Sequence, residues 1–301
     1  FGCYTVPDFI GTRYGGNFAR LCAVLVLVVA SFTYVTAQIN ATGTIASRAL
    51  LIPYGVGIWI GLLGILLCSM LGGMRAVTWT QVAQYIVLII AYLIPVIWMS
   101  NKQGFGLIPQ FVYGDAVARI AELEQLHQVG ILKPAAKAAP GGLEALVTLH
   151  NGPPDTFVGS VRFVTLVACM MIGTASLPHI LMRYFTTPSV RSARNSVAWS
   201  LLFIFLLYFT APALATFTKL QMLDPNLATS VIGKSLTEVN AHVWVQKWSA
   251  VGGLRVVDSN GDGIVQVNEF FMRGGIVVLG TPEIGGLPYV IWGLVAASGW
   301  G

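Results

Sequence analysis

The chain has 301 residues, with 17 Lys and Arg against 12 Asp and Glu, a formal net charge of +5. Only 10% of residues are charged, 55% are hydrophobic and the mean hydropathy is +0.75, whereas a soluble domain carries about 25% charged residues. This excludes an ordinary soluble domain, and the excess basic residues are scattered over short loops, which excludes a nucleic-acid surface.

A membrane span needs roughly 20 apolar residues. Five full runs qualify, about 19–42, 50–72, 77–99, 163–182 and 196–218, and a sixth begins near 286. No Asp, Glu, Lys or Arg lies between Cys22 and Ser47, Ala49 and Met74, or Ala76 and Asn101. A soluble helical core would have to bury every one of these helices on all sides.

Short loops rich in Arg mark the cytoplasmic side, and long loops are exempt from the count. Arg13, Arg20, Arg75, Arg183, Arg191 and Arg194 fall on one side, while Arg48 stands alone in the short loop of the other. The expectation is a multi-pass protein of the cell inner (plasma) membrane, with the long loops 100–162 and 219–285 external or periplasmic. The chain opens at Phe1 without a signal-peptide pattern and closes inside an apolar run, so residues 1–301 are expected to be a fragment of one membrane domain. Cys22, Cys68 and Cys169 lie in spans and Cys3 on the inner side, which gives no disulfide framework.

In the first span, Tyr34 and Gln38 are four residues apart and share a face, with Ser31 before them. Such a polar stripe faces the bundle interior, either as helix–helix hydrogen bonding or as part of a site. Gln81 and Gln84 form a similar pair at the inner end of the third span. Residues 118–128 predict a short surface helix, and 135–142 (AAKAAPGG) a linker. The fourth span, Phe163 to Met182, is charge-free but interrupted by Gly173, Thr174, Ala175, Ser176, Leu177 and Pro178. A broken membrane helix leaves backbone groups that lipid cannot satisfy, so they must face protein or a water-filled cavity. In secondary transporters that cavity holds the substrate. His179 follows, as a packed residue or a proton relay.

The last long loop contains Asp258-Ser259-Asn260-Gly261-Asp262-Gly263-Ile264-Val265-Gln266-Val267-Asn268-Glu269. This run, 258–269, fits the twelve-residue EF-hand calcium loop. Asp258, Asn260 and Asp262 supply oxygens at positions one, three and five. Gly263 makes the turn at six, the Ile264 carbonyl stands at seven, Gln266 at nine and the bidentate Glu269 at twelve. The alternative is a polar Asx-turn without an ion. Ala241 to Val251 is expected as an entering helix, and Met272-Arg273-Gly274-Gly275 stops any exiting helix early.

Three stretches carry a resemblance. Tyr4-Thr5-Val6-Pro7-Asp8-Phe9-Ile10 with Arg13-Tyr14-Gly15 is similar to a cytoplasmic lead-in of the sodium:solute symporters. Leu71-Gly72-Gly73-Met74-Arg75-Ala76-Val77-Thr78-Trp79-Thr80-Gln81 resembles their GGM-x-A-x-x-W-T signature. Gly173 to Tyr184 resembles the broken-helix motif of the acetate and short monocarboxylate permease branch. The resemblance implies an all-α integral membrane protein with the leucine-transporter-type inverted-repeat fold. The chain would hold core helices three to seven and the start of the eighth. Where sugar and proline carriers have an acid after W-T, Gln81 stands here, so either Na+ or H+ is left as coupling ion.

The expected function is Na+-coupled symport of a small monocarboxylate such as acetate, with no enzymatic activity. The substrate would be held by Gly173, Thr174, Ala175 and Ser176 with Tyr34 and Gln38, the ion would pass Gln81 and Gln84, and Ca2+ would sit in the external loop. The expected partners are the lipid bilayer and the carboxylate; oligomeric state is left open. The alternative is a transporter-like sensor domain of a signalling protein.

Overall fold

The structure is a computed structural model that describes residues 3, 5–134, 143–150, 156–175 and 187–299. The predicted break at Ser176, Leu177 and Pro178, with His179 after it, lies outside the described residues, as does the predicted linker. The described elements are α1 (Val6–Tyr14), α2 (Asn17–Leu50), α3 (Tyr54–Lys102), α4 (Pro109–Leu126), β1 (Leu143–Ala145), α5 (Phe157–Ala175), α6 (Val190–Leu223), α7 (Leu236–Ala241), α8 (Val243–Ala250), β2 (Leu254–Val256), β3 (Phe270–Arg273), α9 (Ile276–Ile284) and α10 (Tyr289–Ser298). They form two compact units, residues 1–38 with 152–205 and residues 39–151 with 206–301.

Among the described residues five helical segments are long and apolar enough to cross a membrane: Asn17–Leu50, Tyr54–Gly73, Val77–Lys102, Phe157–Thr174 and Val190–Leu223. The most apolar stretches of the first and fourth are unburied, as expected of helices solvated by lipid. The second and third segments are halves of α3, separated where Gly73 adopts φ 55° and ψ −166°. Only glycine takes that conformation at little cost, which accounts for the glycine pair in the sequence signature.

The first unit begins with a capped helix. The Thr5 hydroxyl accepts from the Asp8 N–H at 3.3 Å and donates to the Asp8 carboxylate at 2.7 Å. Asp8 also pairs with Arg20 of α2 at 2.6 Å. An acid in the first turn suits the helix dipole, so one residue both starts α1 and ties it to α2.

In the second unit the outgoing half of α2 packs on α3 through small residues. A Cβ on Gly57 would come within 2.8 Å of the Gly43 carbonyl oxygen, and one on Gly61 within 2.5 Å of Thr42 Cγ2. Gly57 and Gly61 form a G-x-x-x-G step against Gly43 and Ser47, the device by which membrane helices approach without a hydrophobic driving force.

The two long loops fold together rather than hanging from the spans. Phe217 of α6 and Met99 of α3 share a buried cluster with Ile120 of α4, Trp248 of α8, Phe270 of β3 and Ile284 of α9. The strands make a small antiparallel sheet in the order β1-β3-β2, pairing Leu143 with Arg273 and Leu254 with Met272. Two expectations change here. The surface helix begins at Pro109, not residue 118, because proline suits a first helical turn. The segment after Glu269 is strand β3, not a short helix, because Phe270, Phe271 and Met272 are all buried and pair on both edges.

Arg48 is the largest correction. It lies inside α2, not in a loop, and is 1% exposed. Its guanidinium pairs with Glu283 of α9 at 2.5 Å. It lies over the rings of Trp248 at 5.2 Å and Trp292 of α10 at 4.8 Å. Trp248 Nε1 donates to the other Glu283 oxygen at 2.8 Å. Removing one member of a buried ion pair leaves an uncompensated charge. Arg48→Met should therefore cost about 3–5 kcal/mol, and Arg48→Met with Glu283→Gln should cost less than Arg48→Met alone. Denaturation of the full chain in detergent checks this; an Arg48→Met variant as stable as the parent would contradict the account.

Candidate functional site

The residues predicted for the substrate fall on two helices of the first unit. Tyr34 and Gln38 lie one turn apart on α2, and Gln38 Nε2 donates to the Tyr34 hydroxyl at 2.9 Å. The sequence pairing of these two is thus realised as a contact. Gly173 and Thr174 lie on α5, both exposed, and Ala175 is the last described residue of that stretch. Ser176 lies outside the described residues. The Thr174 hydroxyl can donate to an anion.

Gln81 and Gln84 are half-buried on α3, in the second unit. Gln84 Nε2 donates to the Ser298 carbonyl of α10 at 3.3 Å, so this amide joins two helices.

The loop from Asp258 to Glu269 is ordered by its own acids. Asp258 accepts from the backbone of Gly261 at 2.8 Å and of Gly263 at 3.1 Å. Asn260 Oδ1 accepts from the Asp262 N–H, and Asp262 Oδ1 from the Ile264 N–H at 2.7 Å. The Ile264 N–H holds the Asp262 carboxyl below its ordinary range. Gln266 Nε2 reaches Asp262 Oδ2 at 3.1 Å. Glu269, 1% exposed, turns back across the loop and accepts from the Ser259 N–H, the Ser259 hydroxyl and the Gln266 N–H. Gly261 and Gly263 take φ of 77° and 71°, which their positions in the turn demand. Val265 is buried and exchanges backbone hydrogen bonds with Gly233 and Lys234, as the apolar eighth position requires. β2 and β3 flank the loop, and the Val257 N–H donates to the Glu269 carbonyl. The entering helix, α8, ends at Ala250, ahead of β2. The predicted ligands are thus brought into one loop, with N–H groups occupying several of their oxygens. Among the described residues no three His, Cys, Asp or Glu side chains are gathered as a metal centre.

Sequence reasoning missed a second buried cluster. Lys219 Nζ sits 2.5 Å from Glu124 and donates to the Thr148 carbonyl at 2.8 Å. Glu124 also accepts from the His150 N–H at 2.7 Å, and the His150 ring meets the Thr216 hydroxyl at 3.1 Å. Burial, with Lys219 nearby, holds the His150 imidazole below its ordinary range. A lone Lys ending a charge-free span was the available signal; its partner 95 residues away in sequence was not legible.

Long apolar helices and small-residue packing define a multi-pass membrane protein. A model of the sodium:solute symporter family matches residues 1–244. The chain belongs to the sodium:solute symporter family. It is 36% identical to an uncharacterized symporter of Cupriavidus necator, over 99% of this chain and 55% of that protein. It is 28% identical to a monocarboxylic acid transporter of Corynebacterium glutamicum, over 67% of this chain and 35% of that protein. It is 27% identical to an uncharacterized symporter of Bacillus subtilis, over 78% of this chain and 42% of that protein. The chain thus spans about half, or less, of the length of these relatives. No solved structure matches it. The family and these relatives are transporters rather than enzymes.

Proposed function

We propose that the whole protein is a sodium-coupled symporter of a small monocarboxylate such as acetate, and that residues 1–301 are its core helices three to seven with the start of the eighth. The observation that carries this reading is the stretch Gly173 to Pro178, which interrupts an apolar run that stays charge-free to Met182 in a chain of this family. A helix broken inside the membrane leaves backbone groups that must face protein or water, and discontinuous helices supply the ion and substrate sites of secondary transporters. Thr174, with Ser176 two residues on, gives hydroxyl donors to a carboxylate. Tyr34 and Gln38 form a hydrogen-bonded polar step that completes the substrate site. Gln81 and Gln84 line the inner ion route. The named activity of the Corynebacterium relative supports the substrate class. The basic short loops support an inner (plasma) membrane location with the long loops external, and the family supports the leucine-transporter-type inverted repeat.

Uptake of radiolabelled acetate, propionate and pyruvate by the full-length protein in proteoliposomes tests the reading. An inward sodium gradient should drive uptake of at least one of them. Thr174→Ala should raise the apparent KM roughly tenfold, about 1.4 kcal/mol, for one lost hydrogen bond to the anion. Uptake of none, or uptake indifferent to sodium, contradicts it.

The same proposal places one calcium ion in the 258–269 loop. The oxygen set Asp258, Asn260, Asp262, the Ile264 carbonyl, Gln266 and Glu269 fits a hard cation, and buried Glu269 already reaches across the loop to Ser259. The ion would stiffen the loop between β2 and β3. Affinity should be that of extracellular modules, on the order of 10⁻⁴–10⁻³ M. Calorimetry on the full chain should show binding that Glu269→Gln weakens sharply. No heat at millimolar calcium, or an identical response from the variant, would leave the loop a polar turn.

A further inference from the structure

After α3 the chain stays close to α6. Gln103 Nε2 donates to the Phe217 carbonyl at 3.1 Å and to Gln221 at 2.9 Å, near the end of α6. Seven residues later, Gln110 Nε2 donates to the Thr210 hydroxyl at 3.0 Å, and the Phe111 ring meets the Phe209 ring edge-on at 6.0 Å. Phe217 to Thr210 is seven residues of helix, about 10 Å at 1.5 Å per residue. Between Gln103 and Gln110 the chain therefore turns back along α6 toward the middle of its charge-free run, which extends from Asn195 to Thr218. α4 then climbs away, so that Glu124 reaches Lys219 and His127 reaches the Leu223 carbonyl.

The lowest point of this excursion is apolar and uncovered. Leu107 is 68% exposed, Ile108 58% and Phe111 78%. The surface changes character along α4, where the charged side chains of Asp115, Arg119 and Glu122 are exposed. The turn also has polar groups tied up. The Phe105 N–H donates to the Ser100 carbonyl at 2.9 Å, the Ser100 hydroxyl to the Gly106 carbonyl at 2.7 Å, and Pro109 brings no N–H to the first turn of α4. Non-helical backbone near lipid requires such satisfaction. Tyr208 and Phe209 extend the same apolar surface along α6.

We propose that Leu107, Ile108 and Phe111 form a lipid anchor, seated in the headgroup–acyl boundary of the leaflet on the long-loop side. An apolar tip inserts there by about 5–10 Å while a polar face stays in the headgroups. The occupant is lipid because the tip lies level with, and touches, the exposed apolar surface of a membrane-spanning helix. The anchor pins the start of α4, and with it the loop domain, at a fixed depth. The segment 100–162 thus opens with a partial re-entry rather than as a wholly external loop.

The test is collision spectroscopy of single nitroxides on the full chain in phospholipid vesicles, with native cysteines replaced. Ile108→Cys and Phe111→Cys carry the label, Tyr208→Cys is the lipid reference and Ile131→Cys, exposed in the following turn, the aqueous one. Labels at 108 and 111 should collide with oxygen several-fold more than with a water-soluble nickel chelate, in the proportion seen at 208. Nickel collisions equal to those at 131 would mean that the tip faces water. Low collisions with both reagents would mean that protein covers it, whether another stretch of the chain or a second copy. Either result overturns the proposal.

Discussion

Arg48 carries a charge that lipid rejects and that a protein interior accepts only when paired. It sits near the end of a helix that is otherwise charge-free from Cys22. Its carboxylate partner, Glu283, lies 235 residues away on α9, and the two flanking indoles come from α8 and α10. One guanidinium thus joins a spanning helix to two elements of the loop domain, α8 and α9, and to α10. Burial pushes the Glu283 carboxyl up, while Arg48, Trp248 and Lys247 pull it back. The arrangement stands only while all its members are present, which makes the clasp a constraint on how the later helices sit, not a surface ornament.

Around that clasp the two long loops share one core. α4 and β1 come from the first loop, and α8, β2, β3 and α9 from the second. Gln103, Gln110, Glu124 and His127 each reach α6, so the loop domain is tied along the final turns of a span. The 258–269 loop hangs between β2 and β3 of the same cap.

Much of this was legible locally. Charge-free runs of about 20 residues can only be buried or in lipid, so the spans followed directly from composition. The glycine at the α3 break, the Thr5–Asp8 cap and the spacing of the 258–269 acids are all short-range signals. What escaped was long-range. Arg48 looked like a loop charge because nothing near it in sequence announces Glu283 or the two tryptophans. Strand β3 looked like a stopped helix because its burial depends on β1, which lies more than 120 residues earlier. The tip at Leu107 looked like ordinary loop because its depth is set by contacts to α6. At the candidate substrate site, the Tyr34–Gln38 step was readable from helical periodicity, whereas the assignment of Thr174 rests on the break that follows it in sequence.

The central claim is that both long loops form one folded cap, which we propose lies on the external face. Labelling of single cysteines in intact cells with a membrane-impermeant maleimide tests it most directly. Ser259→Cys in the cap should react without permeabilisation, and Ser189→Cys, in the short connection before α6, only after it. The reverse pattern, or equal reaction at both positions in intact cells, would contradict the account.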